Sequence, residues 1–215
     1  MFEHLGWWFP EGETHLTRML DKSVNKGGPN RYQFQVRDRS MGYVTNKRLA
    51  LDIGANVGLW SRDLVKNFTT VMAWEPVPMF RECLIRNVPA DNLQIRTEAL
   101  GDQNTKVTMN VAVDNMGHTH VDPDRMGQGE TELRTLDSYE LTDVDYIKID
   151  CEGFEYRVLK GAEETIKRCR PLVIVEQKPH DTYTRDYGQF AAVELLQSWG
   201  MRNVDRVKDD WIMGW

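Results

Sequence analysis

Leu51-Asp-Ile-Gly-Ala-Asn-Val-Gly58 is the stretch on which the fold turns. The short apolar run Leu49–Ile53 ends at Gly54, a second glycine stands at Gly58, and an amphipathic segment, Leu59–Phe68, follows at once. A strand, a tight turn and a helix in this order bring backbone N–H groups up to an anionic or polar ligand. Glycine suits the turn because it has no Cβ to block a ligand or forbid a positive φ. The dinucleotide fingerprint needs further glycines where Asn56 and Leu59 stand, so the octapeptide alone does not separate a ligand-binding turn from an ordinary strand-to-helix connection.

Outward from the turn, the pattern is regular. Strand-like runs occupy Leu49–Ile53, Val71–Trp74, Leu93–Thr97, Tyr146–Ile149 and Leu172–Val175. Helical periodicity covers Asn56–Phe68, Pro78–Asn87, Gly153–Arg168 and Gln189–Trp199. In the third of these helices Phe154, Val158, Leu159, Ala162 and Ile166 share a face, Glu163 and Lys167 form an i, i+4 pair, and Pro171 stops it. Apolar strands alternating with amphipathic helices predict an α/β fold, a largely parallel sheet with helices on both faces. Lys106–Val113 alternates as a half-exposed strand, and Asp114–Gly129, rich in Gly, Asp, Asn and His, reads as a long loop. Residues 1–45 have mixed periodicity and read as an N-terminal extension that packs on or caps a domain of residues 46–215. The extension has a helix near Glu13–Val24 and an extended piece at Tyr32–Val36.

Composition excludes several classes. A chain of 215 residues with net charge −6 and a pI near 5.4 is not built to hold nucleic acid by its phosphates. Arg31, Arg37, Arg39, Lys47 and Arg48 are mixed with acidic and apolar neighbours and read as a solvated surface. Cys83, Cys151 and Cys169 share no metal-like spacing and point to reduced thiols and a cytoplasmic protein. No run is long and apolar enough for a membrane span, and no signal-peptide core is expected. Trp7-Trp8-Phe9-Pro10 reads as a packing cluster or a lid.

Acidic residues recur near successive strand ends: Asp52, Glu75, Glu98, Asp150 and Glu176. Ligands of open α/β sheets bind outside the carboxyl ends of the strands. Glu75 follows Asp52 at about the separation where such folds place an acid for ribose hydroxyls, and a carboxylate can accept from both hydroxyls of a vicinal diol. The plain reading of each acid is a cap or surface charge; the recurrence favours a site. Asp150 and Glu152 crowd one strand end, and His118 has a side chain suited to proton transfer near neutrality. His118-Thr-His120 with Asp122 has metal-like spacing on paper but reads as a surface or substrate contact, so no metal site is expected. Lys148, between Ile147 and Ile149, reads as a buried stem with a snorkelling amine, and Trp60 and Trp74 as core or pocket walls.

Asp52-Ile-Gly-Ala-Asn-Val-Gly58, Glu75-Pro76, Glu98-Ala-Leu-Gly101 and Ile147-Lys-Ile-Asp-Cys-Glu-Gly-Phe-Glu155, with Val158-Leu-Lys-Gly-Ala162 after it, resemble the FkbM-type S-adenosylmethionine-dependent methyltransferases over residues 48–178. The resemblance implies a class I methyltransferase (Rossmann-like) sheet of seven strands, with Met201–Val207 and Asp210–Trp215 as a final hairpin whose last strand is antiparallel. It implies S-adenosyl-L-methionine as cofactor, held by Asp52, Gly54, Ala55, Asn56, Gly58, Glu75, Pro76, Glu98, Ala99 and Asp150. Within that set Gly54–Gly58 pass the methionine part, Glu75 takes the ribose, and Pro76, Glu98 and Ala99 border the adenine. Asp150, Glu152 and His118 are the candidates for a base toward a small-molecule or carbohydrate acceptor, while the plain reading of the two carboxylates is a cap on the helix at Gly153. The rivals are an NAD-dependent oxidoreductase on a similar sheet and a non-catalytic adaptor that keeps the fold. Nucleic-acid methylation is disfavoured by the acidic charge and the lack of an Asn/Asp-Pro-Pro-aromatic motif, and nothing in the sequence speaks to oligomeric state.

Overall fold

Alternating β and α segments assemble around one seven-stranded sheet in a computed structural model that describes residues 1–112, 115–178 and 187–215. In chain order the elements are β1 (Phe2–His4), β2 (Trp7–Phe9), α1 (His15–Asn25), α2 (Phe34–Ser40), β3 (Leu49–Ile53), α3 (Ser61–Leu64), β4 (Thr70–Trp74), α4 (Pro78–Asn87) and β5 (Leu93–Arg96). Next come β6 (Ala99–Leu100), β7 (Thr105–Val107), β8 (Met109–Asn110), β9 (His120–Val121), β10 (Thr131–Arg134), β11 (Val144–Ile149), α5 (Glu155–Lys160) and α6 (Glu163–Cys169). The chain finishes with β12 (Leu172–Glu176), α7 (Ala191–Ser198), β13 (Arg202–Val207) and β14 (Asp210–Gly214).

The large sheet runs β13-β14-β12-β11-β3-β4-β5; β14 is antiparallel to both neighbours and the other pairings are parallel. The sheet has the seven strands and the antiparallel last strand that the resemblance implies. The central strands read as unbroken apolar runs because both faces are covered. Leu51, Ile53, Ile147, Ile149, Val173 and Val175 pack in one cluster with residues of α5, α6 and α7. Ala50, Val71, Tyr146, Ile174 and Ile212 pack on the other with Val36 of α2 and Leu64 of α3. A three-stranded sheet, β6-β10-β7, and the hairpin β8–β9 stand apart from the large sheet in pairing.

Several expectations need correcting. Tyr32–Val36 is not extended: Gln33 is left-handed (φ 46) and α2 starts at Phe34, placing Val36, Arg37 and Ser40 inward, with Ser40 Oγ 2.8 Å from the Tyr146 hydroxyl. Arg37 therefore is not a solvated charge; it is 1% exposed, pairs with Asp63 at 2.8 Å and donates to Leu59 O. The expected helix Asn56–Phe68 shrinks to Ser61–Leu64, because Asn56 (φ 53) and Gly58 (φ 87) are left-handed and a helix cannot pass through them. Gly153–Arg168 is two helices. A Cβ on Gly161 would lie 1.9 Å from Gly101 O, so the chain breaks there to let two backbones touch, and the Asp137 carboxylate accepts from Glu164 N and Thr165 N at the new helix start. The expected single strand Lys106–Val113 is β7 and β8, which pair in different sheets. Val113 and Asp114 lie outside the described residues. The remainder of the expected loop to Gly129 contains β9 and short 3-10 turns at Met116–His118 and Pro123–Arg125.

Candidate active site

The turn after β3 is shaped by close backbone approach. Gly54 has φ 77, and a Cβ there would sit 2.0 Å from Asp150 O, so no other residue fits without moving β11. Gly54 N and Ala55 N donate to Trp74 O at 3.2 and 2.9 Å, which ties the turn to the end of β4. One residue beyond Trp74, the Glu75 carboxylate folds back over the turn: Oε2 accepts from Asn56 N at 2.9 Å and Oε1 from Val77 N at 2.8 Å. Each oxygen keeps a lone pair free. Glu75 is 5% exposed, and burial pushes its pKa up to about 7 against the opposing pull of the Val77 and Asn56 amides.

Beneath the turn lies a charge that the sequence reading misplaced. Lys148 does not snorkel. Its Nζ is buried, donates to Gly54 O at 2.8 Å, and stands 3.5 Å from Asp52 Oδ1 and 3.9 Å from Asp150 Oδ2. Burial works against its charge, yet Asp52 and then Asp150 outweigh it and hold the ammonium protonated. Asp52 is fully buried, its Oδ2 accepting from Ser61 Oγ at 2.6 Å. The signal is in the sequence: a lysine inside a strand covered on both faces needs a counter-charge within the protein.

After β11, Glu152 (φ 51) and Gly153 (φ 97) are left-handed and turn the chain sharply into α5. The cap that is the plain reading of Asp150 and Glu152 is made by Glu155, whose Oε1 accepts from Cys151 N (2.7 Å) and Gly153 N (3.2 Å). Glu152 is thereby left to meet Lys178 at 3.1 Å, and Lys178 also meets Glu176 at 2.6 Å. Burial, then Asp150, pushes the pKa of both glutamates up, and Lys178 offsets only part of this.

These elements enclose one cleft of about 890 Å³, part of it open to solvent. Gly54, Ala55, Asn56, Glu75, Pro76, Glu98, Ala99, Asp150 and Glu152 all line it, so the structure brings most of the sequence-derived candidates together. Asp52 and Gly58 lie behind the turn rather than on the wall: Asp52 supports Lys148, and Gly58 packs where a Cβ would lie 2.5 Å from Leu84. His118 is off the wall too, although Gly117, Thr119 and His120 are on it. Trp60, Trp74 and Lys148 complete that side. Leu16 and Tyr32 come from the first forty-five residues. Glu13, 2% exposed, joins that segment to the far wall: Oε1 accepts from Leu16 N at 2.5 Å and Oε2 from Met116 N at 3.1 Å. No periodicity announces Glu13 or Tyr32, because their partners are distant in sequence.

A family model described as the methyltransferase FkbM domain matches residues 52–202. The chain belongs to this family. Among solved structures this FkbM-domain chain is similar to methyltransferase FkbM from Methylobacillus flagellatus KT, at 18% identity and a TM-score of 0.54, over 79% of this chain and 44% of that one. It thus spans less than half the length of that protein. It is also similar to the precorrin 8w decarboxylase of Methanobacterium thermoautotrophicum, at 14% identity and a TM-score of 0.55, over the full length of both chains. At these identities the likeness is one of fold. No curated protein matches the FkbM-domain chain in sequence.

Proposed function

We propose that this FkbM-domain chain binds S-adenosyl-L-methionine in the cleft and transfers its methyl group to a hydroxyl oxygen of a small acceptor such as a sugar. The observation that carries the reading is the Glu75 carboxylate, buried on the cleft wall, fixed by two backbone amides and retaining a free lone pair on each oxygen for a ribose diol. The turn beside it belongs to the same wall, where Gly54, Ala55 and Asn56 line the cleft. Pro76, Glu98 and Ala99 line the same cleft and would border the adenine.

The cofactor supplies a sulfonium methyl with a good leaving group already attached. The residues of the chain then have two tasks. One is positioning, which contributes most in an in-line displacement. Lys148 serves it by locking Gly54 O and Asp52 under the turn. The other is to take the acceptor's hydroxyl proton, for which Asp150 and Glu152 stand on the wall while His118 lies off it. Residues 1–45 act as a cap, supported by Leu16 and Tyr32 on the wall and by Glu13 bridging to Met116. The unpaired Cys83, Cys151 and Cys169 fit action in the cytoplasm.

Calorimetric titration with S-adenosylhomocysteine tests the reading directly. Saturable one-to-one binding is expected; no binding by the pure protein, or preferential binding of NAD, overturns it.

A further inference from the structure

Met109, Met116, Gly117, Thr119, His120 and Val121 form the far wall of the cleft. They lie on and between β8 and β9, a hairpin with two residues in each strand. A hairpin that short has little stability of its own in water. Its base is tied down, because Met109 and Val121 pair across it and pack with the main core. Its tip, the 3-10 turn Met116–His118, is held from the other end of the chain. Glu13 Oε2 accepts from Met116 N at 3.1 Å while Oε1 accepts from Leu16 N at 2.5 Å. The carboxylate is buried, so removing it would leave two amides without their acceptor.

Met116 is the joint between three parts of the site. Its N–H meets the N-terminal segment, and its carbonyl accepts from Asn56 Nδ2 of the glycine turn, a longer bond of 3.4 Å. Asn56 N in turn donates to Glu75 Oε2 at 2.9 Å. A line of hydrogen-bonded groups therefore runs from Glu13 through the Met116 backbone and Asn56 to the carboxylate assigned to the ribose. The Met116 side chain is buried in one cluster with Leu16 and Leu20 of α1. The next residue reaches the acid loop: a Cβ on Gly117 would lie 3.6 Å from Glu152 Oε1. Glu13 falls outside residues 52–202, so the matched domain does not itself supply this anchor.

We infer that Glu13 is a positioning residue for the cleft: it fixes the Met116–His118 turn and, through that turn, couples the docking of residues 1–45 to cofactor binding at Asn56 and Glu75. The inference rests on the methyl-transfer reading and deepens it, because the N-terminal segment and the cofactor then bind the core as one unit. Such coupling is reciprocal. Whatever the docked segment adds to ligand affinity, the ligand returns as resistance of the segment to opening.

The test is amide hydrogen exchange of the full chain, read residue by residue by NMR, with and without saturating S-adenosylhomocysteine. On binding, exchange at Leu16 N and Met116 N should slow together, by about tenfold or more. Glu13→Gln keeps the size of the side chain but turns one acceptor into a donor facing an amide. It should weaken S-adenosylhomocysteine by about tenfold and uncouple the two amides. Leu20→Val trims the same apolar cluster away from the cleft wall; it should lower stability in urea while leaving affinity within about twofold. Three results overturn the inference and leave methyl transfer standing. One is binding that slows Met116 N but not Leu16 N. Another is Glu13→Gln binding as tightly as the unmodified protein. The third is a loss of affinity in Leu20→Val equal to that in Glu13→Gln, which would make Glu13 a structural support only. If Glu13→Gln does not fold, the two amides of the unmodified protein decide the matter. Failure of the unmodified protein to bind S-adenosylhomocysteine overturns methyl transfer itself and the coupling with it.

Discussion

Glu75 makes cofactor affinity a function of pH. In the free protein burial holds its pKa at about 7. A ribose diol donating to both oxygens needs the ionised form, because only the carboxylate is acceptor at every lone pair. Two new hydrogen bonds to the charged form draw the pKa back toward about 4.3, its ordinary value. The group is therefore more acidic when bound than when free, so binding is fully favoured above the free-state pKa and weakens as pH falls through it. Between about pH 8 and about pH 6 the dissociation constant for S-adenosylhomocysteine should rise about tenfold, or about 1.4 kcal/mol. Binding should release nearly one proton at the lower pH and about a tenth of one at the higher. Calorimetry in buffers of differing ionisation enthalpy reads both quantities. Glu75→Gln should bind about 1–3 kcal/mol more weakly at about pH 8, show no further loss as pH falls, and lose the proton release. A dissociation constant indifferent to pH in the unmodified protein, or a proton release that persists in Glu75→Gln, refutes the placement of the ribose on this carboxylate.

Two further outcomes follow from packing. Lys148→Met leaves Asp52 buried without its cation and should cost about 3–5 kcal/mol in urea unfolding, most of it recovered in the Asp52→Asn, Lys148→Met double variant; a loss below about 1 kcal/mol would mean the pair is not a unit. Gly161→Ala pushes a methyl group to within 1.9 Å of Gly101 O and should lower stability by about 1–3 kcal/mol or more, whereas Gly42→Ala, with open space around it, should change it by no more than about 0.5 kcal/mol; equal melting temperatures for the two variants would show that the α5–α6 break is not held by backbone contact.

What could be read from the sequence was whatever a short window encodes. β3, β4, β11 and β12 announce themselves because a strand covered on both faces must be apolar along its whole length. Pro78 at the start of α4, and Arg170 in a left-handed cap before Pro171, are local stops and starts. The acids at the strand ends were legible as a set because the carboxyl edge is where an open sheet binds. The errors share a cause: the deciding partner is far away. Helical periodicity runs unbroken through Gly161, and only Gly101 and Asp137 explain why the helix stops and restarts. Tyr32, Phe34 and Val36 alternate like a strand, yet the chain is helical from Phe34 on, where Ser40 meets Tyr146 and Arg37 meets Asp63. Lys148 has apolar neighbours and looked like a stem seeking water; its counter-charge sits on the next strand.

The bond from Met116 N to Glu13 closes a span of 103 positions, and it bears on how the protein reaches its folded state. Trp7, Phe9, Leu16 and Leu20 pack against Val57, Val77, Phe80 and Met116, all of them later in the chain. A two-stranded hairpin and one helix with no partner for their apolar side have little stability in water. During synthesis the packing of Trp7, Phe9, Leu16 and Leu20 begins with Val57, Val77 and Phe80 and is completed only when the residues around Met116 have emerged. The segment that brings Leu16 to the cleft is thus made before its last partner, and a nascent chain that stops short of Met116 leaves the cover of Trp7 and Phe9 incomplete.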